Sequence, residues 1–202
     1  MFPISHFNIT RTPFYYYDKT LLSNTLAKLI RLAGVHYAVK ANANPEILKL
    51  IAASGIGADC VSGGEIKAAL EAGFPAKKIV FAGVGKADWE IEYALEKKIF
   101  CFNVESAEEL SVIEELAKKK ENIASIALRI NPNIDAHTHE YITTGLSENK
   151  FGIPIEMLDS IFSQIQRSPH VQLVGFHFHI GSQILNLETF HVLCERINQL
   201  QD

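Results

Sequence analysis

The chain has 202 residues, 48% of them apolar and 21% charged, a balance that supports one sizeable core and excludes a disordered chain. Its net charge of −4 is spread over short segments, so no basic stripe speaks for nucleic acid and no polybasic patch for anionic lipid. A small-molecule partner is the expectation. No run approaches the roughly 18 apolar residues of a membrane span, and residues 1–11 lack the basic start and apolar run of a signal peptide, so the cytoplasm is expected.

Six short β-branched runs read as buried strands: Val35 to Val39, Gly57 to Val61, Lys78 to Ala82, Ile99 to Val104, Ile123 to Ile130 and Val171 to Ile180. Helical patterns lie between them. Asn44-Pro45 offers an N-cap and a first-turn proline, and Gly55 closes the helix that starts there. Ser62 with Glu65 makes a capping box for the next helix, which Gly73 ends. Ser106 to Lys120 is amphipathic, with Leu110, Ile113, Leu116 and Ala117 on one stripe.

Apolar strands alternating with helices indicate a parallel βα architecture covered on both faces, either a doubly wound sheet or a (β/α)8 TIM barrel. No G-x-G-x-x-G follows the first strand, which favours the barrel. A complete barrel needs eight units and typically about 250 residues. About six βα units are present, the last helix running from Leu187 to Leu200, so an incomplete barrel, the N-terminal part of a longer protein, is expected. The stretch Asn131 to Phe151 shows neither periodicity, and long irregular loops of this kind suit an active-site lid. Cys60, Cys101 and Cys194 form no C-x-x-C pair, which argues against a disulfide framework or cysteine-rich zinc site; all three are expected to be buried thiols.

In a parallel barrel the reacting groups stand where strands end at the C-terminal face. Lys40 closes the first strand in "HYAVKANAN". Either its stem covers apolar surface while the ammonium reaches water, or its amine is a nucleophile that condenses with an aldehyde. Asp59, near the end of the second strand, is either a turn acceptor or a carboxylate facing the barrel mouth. The "GVGK" stretch, Gly83 to Lys86, has the wrong spacing for a P-loop and reads as a plain βα turn. Arg129 ends the fifth strand, able to orient an acidic group by a bidentate contact. His177 and His179 are two apart on the sixth strand and share a face, as Phe176 and Phe178 share the other. They suit a metal pair as well as an aromatic stack with a hydrogen-bonded core residue. Gly181 and Ser182 offer donors to a phosphate.

Taken in order, "YAVKANANPEIL", "GADCVSGGEI", "KIVFAGVGK", "FNVES", "LRINPNIDAHTHEYITTGLSENKFGI" and "GFHFHIGSQ" resemble the N-terminal barrel portion of the diaminopimelate decarboxylases, over nearly the whole chain. These are pyridoxal 5'-phosphate enzymes with an alanine-racemase-like barrel followed by a β-domain. The resemblance implies decarboxylation of meso-2,6-diaminopimelate to L-lysine and CO2, the last step of lysine biosynthesis. It makes Lys40 the lysine that carries the cofactor aldehyde, His179 the ring that packs on the pyridine, and Ser182 a neighbour of the phosphate. Asp59 and Arg129 match residues at the barrel mouth around the cofactor, and Lys150 with Phe151 closes a mobile segment. Phe178 stands where relatives often carry cysteine, on the face away from the histidines.

The same resemblance implies what the chain lacks. The glycine-rich phosphate loop, the glutamate facing the pyridine nitrogen and the β-domain residues supplied across a homodimer interface come later in the family. Thr12 to Asp18, "TPFYYYD", resembles the strand that the family's N-terminus lends to that β-domain, so residues 1–19 belong with it and 20–202 with the barrel. Alone, the chain is expected to be inactive. Ornithine, arginine and carboxynorspermidine decarboxylases are alternatives on the same fold and cofactor. From a different class, the alternative is a metal-dependent barrel hydrolase using His177, His179 and His137 or His139.

Overall fold

The computed structural model describes residues 11–132, 151–182 and 184–201. Residues 133–150, most of the stretch read as a lid, lie outside the described residues, and His137, His139 and Lys150 lie there too. The chain begins with α1 (Lys19–Leu29) and then alternates: β1 (His36–Ala38), α2 (Pro45–Ala53), β2 (Gly57–Cys60), α3 (Gly63–Glu71), β3 (Ile79–Phe81), α4 (Asp88–Lys97), β4 (Cys101–Val104), α5 (Ala107–Lys119), β5 (Ala124–Arg129), α6 (Leu158–Arg167), β6 (Val171–His177) and α7 (Glu188–Gln201). The strands form one sheet in the order β1 to β6, every neighbouring pair parallel. This is the expected incomplete barrel of six units, with β1 and β6 as open edges. Among the described residues no helix is long and apolar enough to cross a membrane.

Local chemistry starts the helices where the sequence says it should. The Asn44 side chain accepts from the backbone N–H groups of Glu46 and Ile47 at the head of α2, with Pro45 in its first turn. Ser62 and Ser106 accept from the N–H groups of Glu65 and Glu109, capping α3 and α5. The Glu65 carboxylate reaches back one residue further than a capping box requires, to the Val61 N–H. Buried Glu90 accepts from Gly63 N–H at 2.6 Å and from Ala87 N–H at 2.9 Å, so one carboxylate satisfies backbone donors at the starts of both α3 and α4.

The register divides the sheet into two unlike faces. Ile79, Phe81, Phe102, Val104, Ile126 and Leu128 point toward the helices and pack in a single core with Ile51, Ile66, Ile91, Leu110 and Ile113. Each contributes on the order of 1.5–3 kcal/mol by leaving water. The inner face carries His36, Ala38, Gly57, Asp59, Val80, Cys101, Asn103, Ala127, Arg129, Gly175 and His177, aligned by the strand pairing. Its residues are small or polar, unlike a purely structural sheet face. A register shift between Ile126 and Ala127 places Val174 as an extra residue on β6, so that Gly175 and His177 stay on the inner face.

Two expectations are corrected. Cys194 is exposed on α7, whereas Cys60 and Cys101 are buried; among the described residues no element follows α7 to cover it. Strand β1 is shorter than read, ending at Ala38, and Lys40 lies in the helical turn Val39–Ala41 that follows it. Val39 is fully buried and fixes that turn while Lys40 faces solvent. Residues 12–18 form no strand among the described residues, and Tyr15 is almost wholly exposed.

Candidate active site

The turn after β1 is held from several sides. Tyr37 donates its hydroxyl to Asn42 O, the Asn42 amide donates to Tyr17 Oη, and Asn42 Oδ1 accepts the Asn44 N–H. These contacts hold the loop that carries Lys40 at the C-terminal end of β1, the end where a βα barrel keeps its reacting groups. Asp59 belongs to the neighbouring strand on the inner face. Burial raises its carboxyl above the usual carboxylate range, and the Lys40 ammonium, then His36, pull it back down. The Lys40 charge therefore acts on Asp59.

His179 follows β6. It is half-buried, and burial depresses its imidazole, with the charges of Arg129 and Lys40 adding to the effect. Lys40 just beyond β1, Asp59 on β2, Arg129 at the end of β5 and His179 just beyond β6 lie toward the same end of the parallel sheet. Ser182 is exposed in the turn beyond, just after Gly181, whose φ of 134° suits glycine. His177 lies deeper. Burial, aided by Arg129, His179 and Lys86, depresses it to about 4, so at neutral pH its ring is uncharged.

Below these groups a hollow of about 470 Å3 runs along the inner face, lined among others by His36, Asp59, Cys101, Asn103 and His177. Its wall contains polar atoms that are buried and have no hydrogen-bond partner among the described residues: His36 Nε2, Asp59 Oδ1 and His177 Nδ1. His36 Nδ1 lies 2.9 Å from Gly34 O, and because a carbonyl only accepts, Nδ1 carries a proton toward it. Buried polar atoms without partners are costly in a folded chain and mark a surface that meets something polar. Another hollow, about 460 Å3, opens at the opposite strand ends, but there Lys78 already donates to Gly55 O.

Arg129, read as able to orient an acidic group, already holds one within the chain. Its Nη1 donates to both carboxylate oxygens of Glu105, at 2.9 and 2.7 Å, in a buried ion pair, and its guanidinium stands 5.6 Å from the centre of the Phe151 ring. Glu105 went unnoticed in the sequence. Its signal was its place in "FNVES", directly after β4, the same strand-end position that singled out Lys40 and Arg129. Lys86 is likewise more than a turn residue: its ammonium is enclosed by Gly83 O, Asn103 O and Glu109. Among the described residues, which exclude His137 and His139, no group of three His, Cys, Asp or Glu able to hold a metal includes His177 or His179.

Comparison with known proteins fits this geometry. Residues 22–202 match the family described as pyridoxal-dependent decarboxylase, pyridoxal binding domain, and the chain belongs to that family. The diaminopimelate decarboxylase of Bacteroides thetaiotaomicron is 57% identical, the match covering all of this chain and 54% of that protein. That of Campylobacter jejuni is 44% identical over 89% of this chain and 46% of its own length. Among solved structures, diaminopimelate decarboxylase from Helicobacter pylori complexed with L-lysine superposes with a TM-score of 0.87 at 44% identity, over 98% of this chain and 52% of that one. The chain spans about half the length of the curated relatives it matches.

Proposed function

We propose that this chain is the cofactor-holding half of a cytoplasmic diaminopimelate decarboxylase, which removes CO2 from meso-2,6-diaminopimelate to leave L-lysine. The observation that carries the reading is the placement of Lys40, Asp59, Arg129 and His179 toward one end of a parallel sheet in a chain of the pyridoxal-dependent family.

The residues fit pyridoxal 5'-phosphate. The exposed Lys40 amine at a strand end suits an aldehyde, and the half-buried His179 ring offers a flat surface for a pyridine. The unpartnered Asp59 Oδ1 waits for a donor, and Ser182 offers a hydroxyl to a phosphate. When bound, the pyridoxal ring supplies an electron sink for the pair left behind by departing CO2. Lys40 would hold the cofactor through its aldehyde. Asp59, on the neighbouring strand with an unpartnered Oδ1, would present a carboxylate toward the group that Lys40 holds. The His179 ring, whose charged form burial disfavours, would offer a flat face to the pyridine.

The alternation of unlike sheet faces favours a barrel completed by further strands, with residues 1–19 serving a separate β-domain and the whole acting as a homodimer. In this reading the 202-residue chain by itself shows neither strong cofactor affinity nor turnover.

The test uses a protein that carries this chain at the full length of its relatives. Its visible spectrum is recorded with added pyridoxal 5'-phosphate, the bound group is fixed with borohydride, and the labelled peptide is mapped. An absorption band and a label on Lys40, with lysine and CO2 formed from meso-diaminopimelate in preference to ornithine or arginine, are expected. A label on another lysine removes Lys40 from its role. Bound zinc with no such band sinks the decarboxylase reading in favour of a hydrolase.

A further inference from the structure

The charged groups behind Arg129 form a continuous buried string. The Lys86 side chain is 1% exposed, and an ammonium taken out of water costs several kcal/mol unless it is fully paired. It is fully paired: its three protons meet Gly83 O at 2.7 Å, Asn103 O at 2.9 Å and Glu109 Oε1 at 2.5 Å. No donor remains for a ligand, so any influence Lys86 has on a site must pass through its partners. The other oxygen of Glu109 accepts the Glu105 backbone N–H at 2.8 Å, and the Glu105 carboxylate grips Arg129.

We propose that Lys86 is a positioning residue for Arg129, acting through Glu109 and Glu105. Lys86 fastens the end of β4 from two sides, directly at Asn103 O and through Glu109 at the Glu105 N–H. Glu105 then holds the guanidinium at one orientation at the end of β5. The Glu109 carboxylate, bonded to the Glu105 backbone N–H, and the Glu105 carboxylate each have their own cation, Lys86 and Arg129 respectively, which offsets their mutual repulsion. The functional meaning rests on the reading of the strand ends as a pyridoxal site, because it is there, at Asp59 and His179, that the Arg129 charge is felt. A lysine clamped to the first turn of α5 for helix stability alone would leave Arg129 indifferent to its removal.

The distinguishing measurement is on Arg129 itself, in a protein that carries this chain at the full length of its relatives, with no cofactor added. Arginine side-chain nitrogens are labelled with 15N and the guanidinium signals recorded, those of Arg129 being the ones absent from Arg129→Lys. In the unmodified chain a gripped guanidinium gives separate, slowly exchanging Nη signals. In Lys86→Met and in Glu109→Gln these collapse to one averaged signal while the backbone spectrum keeps its dispersion, and Lys86→Arg restores them. Glu109→Gln keeps the volume of the side chain but cannot accept from both Lys86 and Glu105, so it decides the matter should Lys86→Met fail to fold. Unchanged Arg129 signals in a folded Glu109→Gln chain overturn the proposal. Because no cofactor enters, a protein whose Lys40 never takes a label but whose Arg129 responds as stated loses the decarboxylase reading and keeps this one; the reverse pair of results does the opposite.

Discussion

Single side chains at the strand ends are governed by how much water each has lost. His177 is the clearest case: its folded pKa of about 4 lies below the roughly 6.5 of a free imidazole. Folding therefore favours the neutral ring. The sign follows directly: the stability it contributes is complete above about pH 6.5 and is lost as the pH falls through that value toward 4, where the folded chain too binds the proton. Urea unfolding of the chain at pH 7 and pH 5 should show a loss on the order of 1–2 kcal/mol, discounted for partial exposure, and His177→Gln should flatten that dependence. A second residue to test is Glu105. With both partners of the Glu105–Arg129 pair buried, Glu105→Ala strands a guanidinium without its counter-charge and should cost about 3–5 kcal/mol in urea unfolding. Replacing both, Glu105→Met with Arg129→Met, should recover most of that loss, since it removes the orphaned charge.

Elements meet here through close backbone approaches as well as through apolar packing. Gly57 opens β2 on the inner face with its Cα against the His36 ring and the Lys78 carbonyl; an added Cβ would overlap the ring and lie 2.6 Å from Lys78 O. The ring can turn away, but the carbonyl belongs to the chain entering β3 and cannot. Gly57→Ala should thus cost about 1–3 kcal/mol, measured by thermal unfolding. The double variant with His36→Ala should regain only part of it; complete recovery would show that the ring alone sets the spacing. Caps such as Asn44, Ser62 and Ser106 were legible from the sequence because each acts within three residues of itself. The pairings Lys86–Glu109 and Glu105–Arg129 were not, because they span 23 and 24 residues and nothing local marks two charges as partners.

Over the whole molecule the main physical fact is a sheet with one finished face and two open edges. The helix side is a dry core, whereas the inner side has a hollow whose polar atoms lack partners among the described residues, and among those residues strands β1 and β6 each have one neighbour. Exposed edges pair with other chains. The 202-residue chain should therefore elute larger than a monomer at micromolar concentration and enhance the fluorescence of a hydrophobic dye. The same chain at the full length of its relatives should do so far less; equal dye binding by both would mean that the inner face is not what the longer protein covers.

By itself, the sequence determined the alternation of strand and helix, the caps, and the place of Lys40, Asp59, Arg129 and His179 at strand ends. Those features follow from periodicities of a few residues and from motifs read in order along the chain. Only the tertiary structure decided that Arg129 is already held by Glu105, that Lys86 is buried and fully bonded, and that Cys194 is exposed. Burial and charge pairing depend on which distant segments fold against one another, and a carboxylate two dozen residues away carries no local mark of the cation it will meet.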